Sequence, residues 1–504
     1  MTKPILSILA PFFIATLLYF LGAPDGLNPN AWLYFCIFIG MIIGLVLEPV
    51  PPGLIALSAL VLCVALKIGA SDKVTSANKA ISWGLSGYAN KTVWLVFVAF
   101  ILGLGYEKSL LGKRIALLLI RFLGQTPLGL GYAIGLSELC LAPFIPSNSA
   151  RSGGILYPIV SSIPPLMGSA PNDNPDKIGA YLMWVALAST CITSSMFLTA
   201  LAPNPLAMEI ATKMGVNEIS WFSWFLAFLP CGVVLILLVP LLAYKTCKPT
   251  LKGSKEVSLW AKKELEGMGR FSLKEILMLS LTLLALLGWI FSKPLGLHAS
   301  ATALIVMVLM AFCKIISYED IIKNKSAFNI FLLLGSLLTM AGGLKNVGFL
   351  NFIGNAAKNF LEHANLDPLI AILFIIAFFY LSHYFFASIT AHVSALFALF
   401  VGIGSHIQGV NLQELSLFLM LSLGIGSHIQ GVNLQELSLF LMLSLGIMGI
   451  LTPYGTGPST IYYGSGYIPS KNFWKWGFIF GVVYLIVFLS VCVPWVKLIA
   501  YRWL

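Results

Sequence analysis

The stretch Pro146 to Gly154, PSNSARSGG, lies between strongly apolar segments in a chain that otherwise avoids polar clusters. Pro146 stops a preceding helix, and Gly153 and Gly154 permit close backbone approach before the next apolar run begins. This pattern describes a re-entrant hairpin: two half-helices meeting at a polar tip of hydroxyls, an amide and unpaired N–H groups. Half-helix N-termini favour anions through their partial positive charge. A second stretch, Ala387 to Ala395, ASITAHVSA, offers the same kit without glycine. The two registers match. Ser147-Asn148-Ser149-Ala150-Arg151 stands beside Ser388-Ile389-Thr390-Ala391-His392, small hydroxyls followed at the same offset by a side chain able to carry positive charge. Two such tips meeting from opposite faces would hold a small molecule with negative charge at both ends.

Arg151 is the sharpest single residue. A permanent charge in a membrane segment costs at least about 2.5 to 3.5 kcal/mol on insertion scales, so it needs a compensating partner or a function. One reading is an ion pair with Glu138 of SELCLAPF; the other is contact with an anion, because guanidinium matches carboxylate with two parallel hydrogen bonds. The two are not exclusive, and on the second an Arg151→Ala variant should lose transport with the fold intact. His392 is either a buried hydrogen-bonding residue or a second cation, and its register with Arg151 favours the second. His383, nearby, reads as structural. Each half of the chain carries a further Pro/Gly break, TALAPNPLA from Thr199 and LTPYGTGPSTIYYGSGY from Leu451. Lipid-facing helices do not accept such breaks, so they must face an enclosed hydrated cavity, and paired breaks point to a transport site near the midplane. No phosphate-binding glycine loop, HExxH, GxSxG or clustered cysteine set is present, so no enzyme, cofactor or metal site is expected.

The elements that must position these residues are membrane helices. The 504 residues are 59% hydrophobic and only 10% charged, with mean hydropathy +0.93, which excludes an ordinary soluble domain. Apolar runs such as Ile5 to Gly22, Ala31 to Leu47, Val93 to Gly105 and Phe473 to Val496 lead to an expectation of roughly ten to twelve spans. The net charge of +11 sits at the ends of apolar runs, where it sets topology; nucleic acid is not an expected partner. Eight cysteines stand singly and read as core residues. The N-terminal run lacks a cleavage signature and reads as a retained first helix in a bacterial inner membrane.

Charge density jumps from Tyr244 to Glu275, a cytoplasmic linker by the positive-inside bias. The expected organisation is a first membrane half, 1–245, with its tip near 146–154; a linker, 246–275; and a second half, 276–504, with its tip near 386–394. Separately, GIGSHIQGVNLQELSLFLMLSL occupies 402–423 and recurs letter for letter at 424–445. Two identical copies in different environments serve no natural structural purpose. A tandem duplication with the spare copy, apolar from Leu415 to Leu423, lying at the membrane surface is the expectation.

Taken together, TVWLVF, LGYEKSLLGKRIALLL, APFIPSNSARSGGI, SITAHVSAL and TPYGTGPSTIYYGSGYI resemble the divalent anion:sodium symporter superfamily. Within it the chain is similar to the bacterial 2-oxoglutarate/malate translocator group, which includes citrate/succinate and tartrate/succinate antiporters. The resemblance covers nearly the whole chain. It implies an all-α polytopic homodimer with two inverted repeats, a scaffold domain and a transport domain moving in an elevator-like way. It also implies substrate contacts from Ser147, Asn148, Ser149, Ser388, Thr390 and the break at Thr456, Gly457 and Pro458, to which the residue reading adds Arg151 and His392. Sodium-coupled relatives carry Ser-Asn-Thr at both tips. Here the first tip reads Ser-Asn-Ser and the second places Ile389 where an amide would stand, and a hard cation gains nothing from isoleucine. The expected activity is sodium-independent exchange of di- or tricarboxylates, namely malate, succinate, 2-oxoglutarate, tartrate or citrate. A sodium-coupled symporter is the alternative; a channel and an embedded enzyme are the more remote ones.

Overall fold

The computed structural model describes residues 5–171, 173–353, 355, 368–404 and 434–503. Every regular element among them is helical, apart from a lone bridge between Ala170 and Asp173. Seven of the described helices are long and apolar enough to cross a bilayer: Pro29–Leu47, Lys91–Ser109, Gly179–Met196, Trp221–Thr246, Leu273–Ile290, Lys325–Asn346 and Ser470–Leu498. Among the described residues, the expected ten to twelve spans are therefore not all single continuous helices. Much of the remaining apolar chain is bent or interrupted: the 15 residues of Pro127–Leu141 rise about 22 Å, short of a hydrocarbon core of about 30 Å.

Helix starts follow local chemistry. Asn90 accepts from the Thr92 N–H at 2.7 Å to open Lys91–Ser109, and Thr126 accepts from Gly129 at 3.0 Å with Pro127 in the first turn. Ser272 and Glu275 form a reciprocal capping box at the head of Leu273–Ile290. Packing then divides the helices. Lys325–Asn346 lies against Pro52–Ala65 and Lys91–Ser109, which also meets Ala299–Phe312. Elsewhere Gly179–Met196 is buried along its whole length, packed by Pro127–Leu141, Trp221–Thr246 and the second half of the chain.

Backbone contacts fix where segments begin and end. The linker meets both feet of the first hairpin: the Ser254 N–H donates to Gln125 O at 3.0 Å, and the N–H of Thr250 donates to Asp176 O at 3.3 Å. The hairpin thus enters and leaves on the linker side, with its tip at 142–148 between the arms Pro127–Leu141 and Ser149–Leu166. Gly179–Met196 starts on that side, breaks at Phe197–Ala202, and continues as Pro203–Lys213 to the far side, where Asn217 and Gln435 bond each other. From Gln435 the helix Leu434–Leu443 returns, breaks, resumes as Gly457–Gly464, and reaches the linker side where the Tyr467 hydroxyl donates to Ser169 O at 3.2 Å. The linker itself carries an amphipathic helix, Lys255–Met268, laid on Leu111–Leu123.

Most of the duplicated segment, including the whole apolar part of its first copy, lies outside the described residues. The described part of the second copy runs from half-buried Leu434 and Gln435 into the core, with Leu439 to Leu443 buried.

Candidate functional site

The first tip is held by both breaks. Pro143 and Pro146 terminate the incoming arm, and their carbonyls are taken up by the first break: Thr199 Oγ1 donates to Pro143 O at 2.5 Å and the Ala202 N–H to Pro146 O at 3.1 Å. On the outgoing side, Asn148 Nδ2 donates to Thr456 Oγ1 at 2.7 Å, and the hydroxyls of Ser152 and Tyr462 are 2.9 Å apart. The approach is glycine-dependent: a Cβ on Gly457 would strike Ser149 Oγ, and one on Gly153 would strike Ile461. The outgoing arm begins with a π-helical stretch, Ser149–Leu156, and the second polar stretch repeats this at Val393–Phe397, directly after the short helix Ile389–His392. Such widened turns occur often at functional sites.

Ser147 and Ser149 are half-buried, Ala150 and Gly457 exposed, and Asn148 and Thr456 buried. Pro458 follows in the first turn of Gly457–Gly464 and is buried. This corner therefore sets small hydroxyls beside the N-terminal end of a half-helix, with Ala150 and Gly457 at its exposed edge. A cleft of about 420 Å³ borders the outgoing arm at Gly154, Pro158 and Ser162, roofed by Trp260 and Glu264 of the linker helix. Another of about 230 Å³ touches the first break at Leu198 and Pro205.

Arg151 faces inward. Its Nε donates to Glu138 Oε2 at 2.8 Å, and both residues have no solvent exposure. Nη1 donates to Ile145 O at 2.7 Å and to Ala200 O at 2.9 Å, while Nη2 reaches Thr190 Oγ1 at 3.2 Å and Ser194 Oγ at 3.1 Å. All five guanidinium donors are thus spent on protein, which is the ion-pair alternative of the sequence reading. In this conformation Arg151 ties the two arms of the first hairpin to the broken helix beside them.

At the second tip, Ser388 and Thr390 are half-buried, and Ile389 is buried with its side chain against Gly449. His392 is fully buried, 3.3 Å from Ser382 Oγ through Nε2 and 3.1 Å from His383 Nδ1 through Nδ1. His383 Nε2 in turn donates to Gly455 O at 2.8 Å. Among the described residues no hydrogen bond links Arg151 to His392, and each has its own set of partners. What the structure brings together is the first tip, the second hairpin and the Thr452–Gly457 break, which touches Asn148 on one side and His383 on the other.

Sequence reasoning missed three participants. Ser195 Oγ accepts from the N–H groups of Gly446 and Ile447 at 2.9 and 3.1 Å, pinning the two broken helices where they cross. Tyr462 is one of two adjacent tyrosines that the sequence does not distinguish, and His383 had been read as merely structural.

With that geometry in place, the comparisons define the class first. The model of the sodium:sulfate symporter transmembrane region matches residues 2–433 and 423–501, two matches that overlap inside the duplicated stretch. The chain belongs to the divalent anion:sodium symporter superfamily, as a multi-pass all-α membrane protein. More particularly, it is 40% identical over 497 residues to the citrate/succinate antiporter of Escherichia coli K12, covering 97% of each chain. It is 39% identical over 500 residues to the L-tartrate/succinate antiporter of the same strain, covering 97% of this chain and 98% of that one. Among solved structures, the YdaH transporter of Alcanivorax borkumensis matches 94% of this chain and 99% of its own with a TM-score of 0.54 at 14% identity. MtrF of Neisseria gonorrhoeae matches 95% and 97% with a TM-score of 0.56 at 10% identity. At those identities the likeness concerns the fold alone.

Proposed function

We propose that this protein is a secondary transporter exchanging di- or tricarboxylates across a bacterial inner membrane, without sodium. The observation that carries the reading is the corner where Ser147, Asn148 and Ser149 meet Thr456, Gly457 and Pro458. It offers hydroxyls and half-helix N–H groups to an anion but no carboxylate ligand. Ser388 and Thr390 form the second contact set. The antiport class and the carboxylate chemistry are supported by the two antiporter relatives, each aligned over nearly its full length. Candidates are malate, succinate, 2-oxoglutarate, tartrate and citrate.

Sodium independence is supported by the second tip, where Ile389 fills the amide position and packs on Gly449, offering no side-chain oxygen to a hard cation. Arg151, charge-balanced by Glu138, acts as a positioning residue rather than a ligand. The antiparallel run of the two broken helices supports two inverted repeats, 1–245 and 276–504, flanking the linker 246–275. Movement of the hairpins and broken helices against the remaining helices would then give elevator-like alternating access, in a homodimer as the family resemblance implies.

Counterflow in proteoliposomes tests this, with a carboxylate panel and sodium present or absent. Uptake that requires internal carboxylate and ignores sodium is the expected result. Robust sodium-driven uptake into vesicles holding no internal carboxylate would establish the symporter alternative, which the sodium:sulfate family model favours.

A further inference from the structure

The buried histidine pair has a proton inventory that can be counted. Gly455 O only accepts, so His383 Nε2 carries a hydrogen, and a neutral His383 presents a lone pair at Nδ1. His392 Nδ1 faces that lone pair at 3.1 Å and must therefore donate to it. His392 Nε2 is left with a lone pair when the ring is neutral, and the Ser382 hydroxyl at 3.3 Å fills it. The same hydroxyl also lies 2.8 Å from Phe379 O. When a proton from water adds to His392 Nε2, that N–H donates to Ser382 Oγ and the hydroxyl turns to Phe379 O. Both protonation states thus keep every donor matched, and the only rearrangement between them is one hydroxyl rotation.

The surroundings favour a cation transiently rather than permanently. Phe379 and Phe386 cover the His392 ring at centroid distances of 4.5 and 5.0 Å, and aromatic faces attract positive charge. The titratable side chains on the elements packed around the pair are Tyr34 and Cys36, Glu209 and Lys213, Glu436, and Tyr380, Tyr384 and Tyr454. None hydrogen-bonds to either imidazole: Glu209 is held by Asn90 and Thr92, Lys213 by Leu338 O, and Glu436 by Lys497. Among the described residues, no carboxylate is hydrogen-bonded to His392 to compensate a charge there. An anionic cargo can supply that charge: the Thr456 corner would receive it next to the Gly455 carbonyl that His383 holds.

We infer that the His383–His392–Ser382 chain is a proton-binding site that fills when a carboxylate binds, so that the protein carries a proton together with its anion. This rests on the carboxylate-transport reading and names its co-substrate. It also allows exchange partners of unequal charge to be moved with the protein's own charge adjusted by one.

Calorimetry on the purified full chain tests it, titrating succinate, malate or 2-oxoglutarate near pH 7.5 in HEPES and in Tris. These acids are then fully ionised, so the buffer dependence of the heat counts protons taken up by the protein: about one per anion is expected. Ser382→Ala removes the acceptor of the charged state, and the uptake should fall below half of that and recover at lower pH. His392→Gln should bind more weakly with no proton taken up. Binding without proton uptake in the wild type, or undiminished uptake in His392→Gln, overturns the proton site while leaving the transport reading standing. Failure of these three acids, and of tartrate and citrate titrated in the same way, to bind the wild type would overturn the transport reading itself, and the proton site with it.

Discussion

Arg151 shows how a residue of the expected type can serve a different end. Its sequence context fits an anion ligand equally well, yet its five donors are consumed by Glu138, Ile145, Ala200, Thr190 and Ser194. Removing it leaves the Glu138 carboxylate buried and alone, a change that typically costs about 3 to 5 kcal/mol. Arg151→Ala should therefore lower the thermal unfolding temperature of the purified protein as well as its transport, so the sequence expectation of an intact fold is revised. Arg151→Lys keeps the charge with three donors in place of five and should fall between. An Arg151→Ala protein with wild-type unfolding temperature would show that the pair is dispensable. Asn148 makes a simpler bond, and Asn148→Ala should raise KM for exchange several-fold, roughly the 1 kcal/mol or so of a lost buried hydrogen bond.

Among the elements, the close meeting of hairpin and broken helix is the feature most exposed to small changes. Gly457→Ala pushes a methyl group into Ser149, and either the tip or the half-helix must retreat. Exchange should fall by at least about tenfold while expression and unfolding temperature move little, because the clash is local. Measured exchange within twofold of wild type would mean that the Gly457–Ser149 contact is not needed for transport. The duplication gives a second test. Its described helix, Leu434–Leu443, comes from the second copy and is packed against Pro368–Ser382 and Pro203–Lys213. Deleting 402–423 joins the second hairpin to the retained copy, and transport should survive; loss of all uptake at unchanged expression would show that the first copy has a role.

For the whole molecule, the decisive contacts are those between the helix group around Lys325–Asn346 and the group around Gly179–Met196. On the side away from the linker, Glu209 receives bonds from Asn90 and Thr92, and Glu218 pairs with Lys91 and with His298 at 3.1 Å. The His298 hydrogen bond, then Lys91, hold the Glu218 carboxyl down to about 2 against the opposing effect of partial burial. A carboxylate depressed on folding adds stability that is complete above its unfolded value, near 4.5, and fades as pH falls toward 2. The unfolding-temperature gap between wild type and Glu218→Gln should thus be flat from about pH 8 to 5 and narrow below about 4.5. A gap that widens on acidification would contradict this assignment.

The sequence by itself determined the membrane class and both Pro/Gly breaks, because each is written in local covalent properties. Proline and glycine stop helices wherever they stand, and apolar length sets what can lie in hydrocarbon. Of the ten to twelve expected spans, seven are single long apolar helices among the described residues; composition registers an apolar run but not whether it crosses straight, breaks or turns back. Only the tertiary structure decided what Arg151 and His392 touch, that His383 pairs with His392, and that Leu434–Leu443 of the second copy packs in the core. Those outcomes depend on neighbours brought from elsewhere in the chain, as Asn148 and Thr456 are across 308 positions, and hydrogen-bond partners at such separations are chosen by packing rather than by spacing.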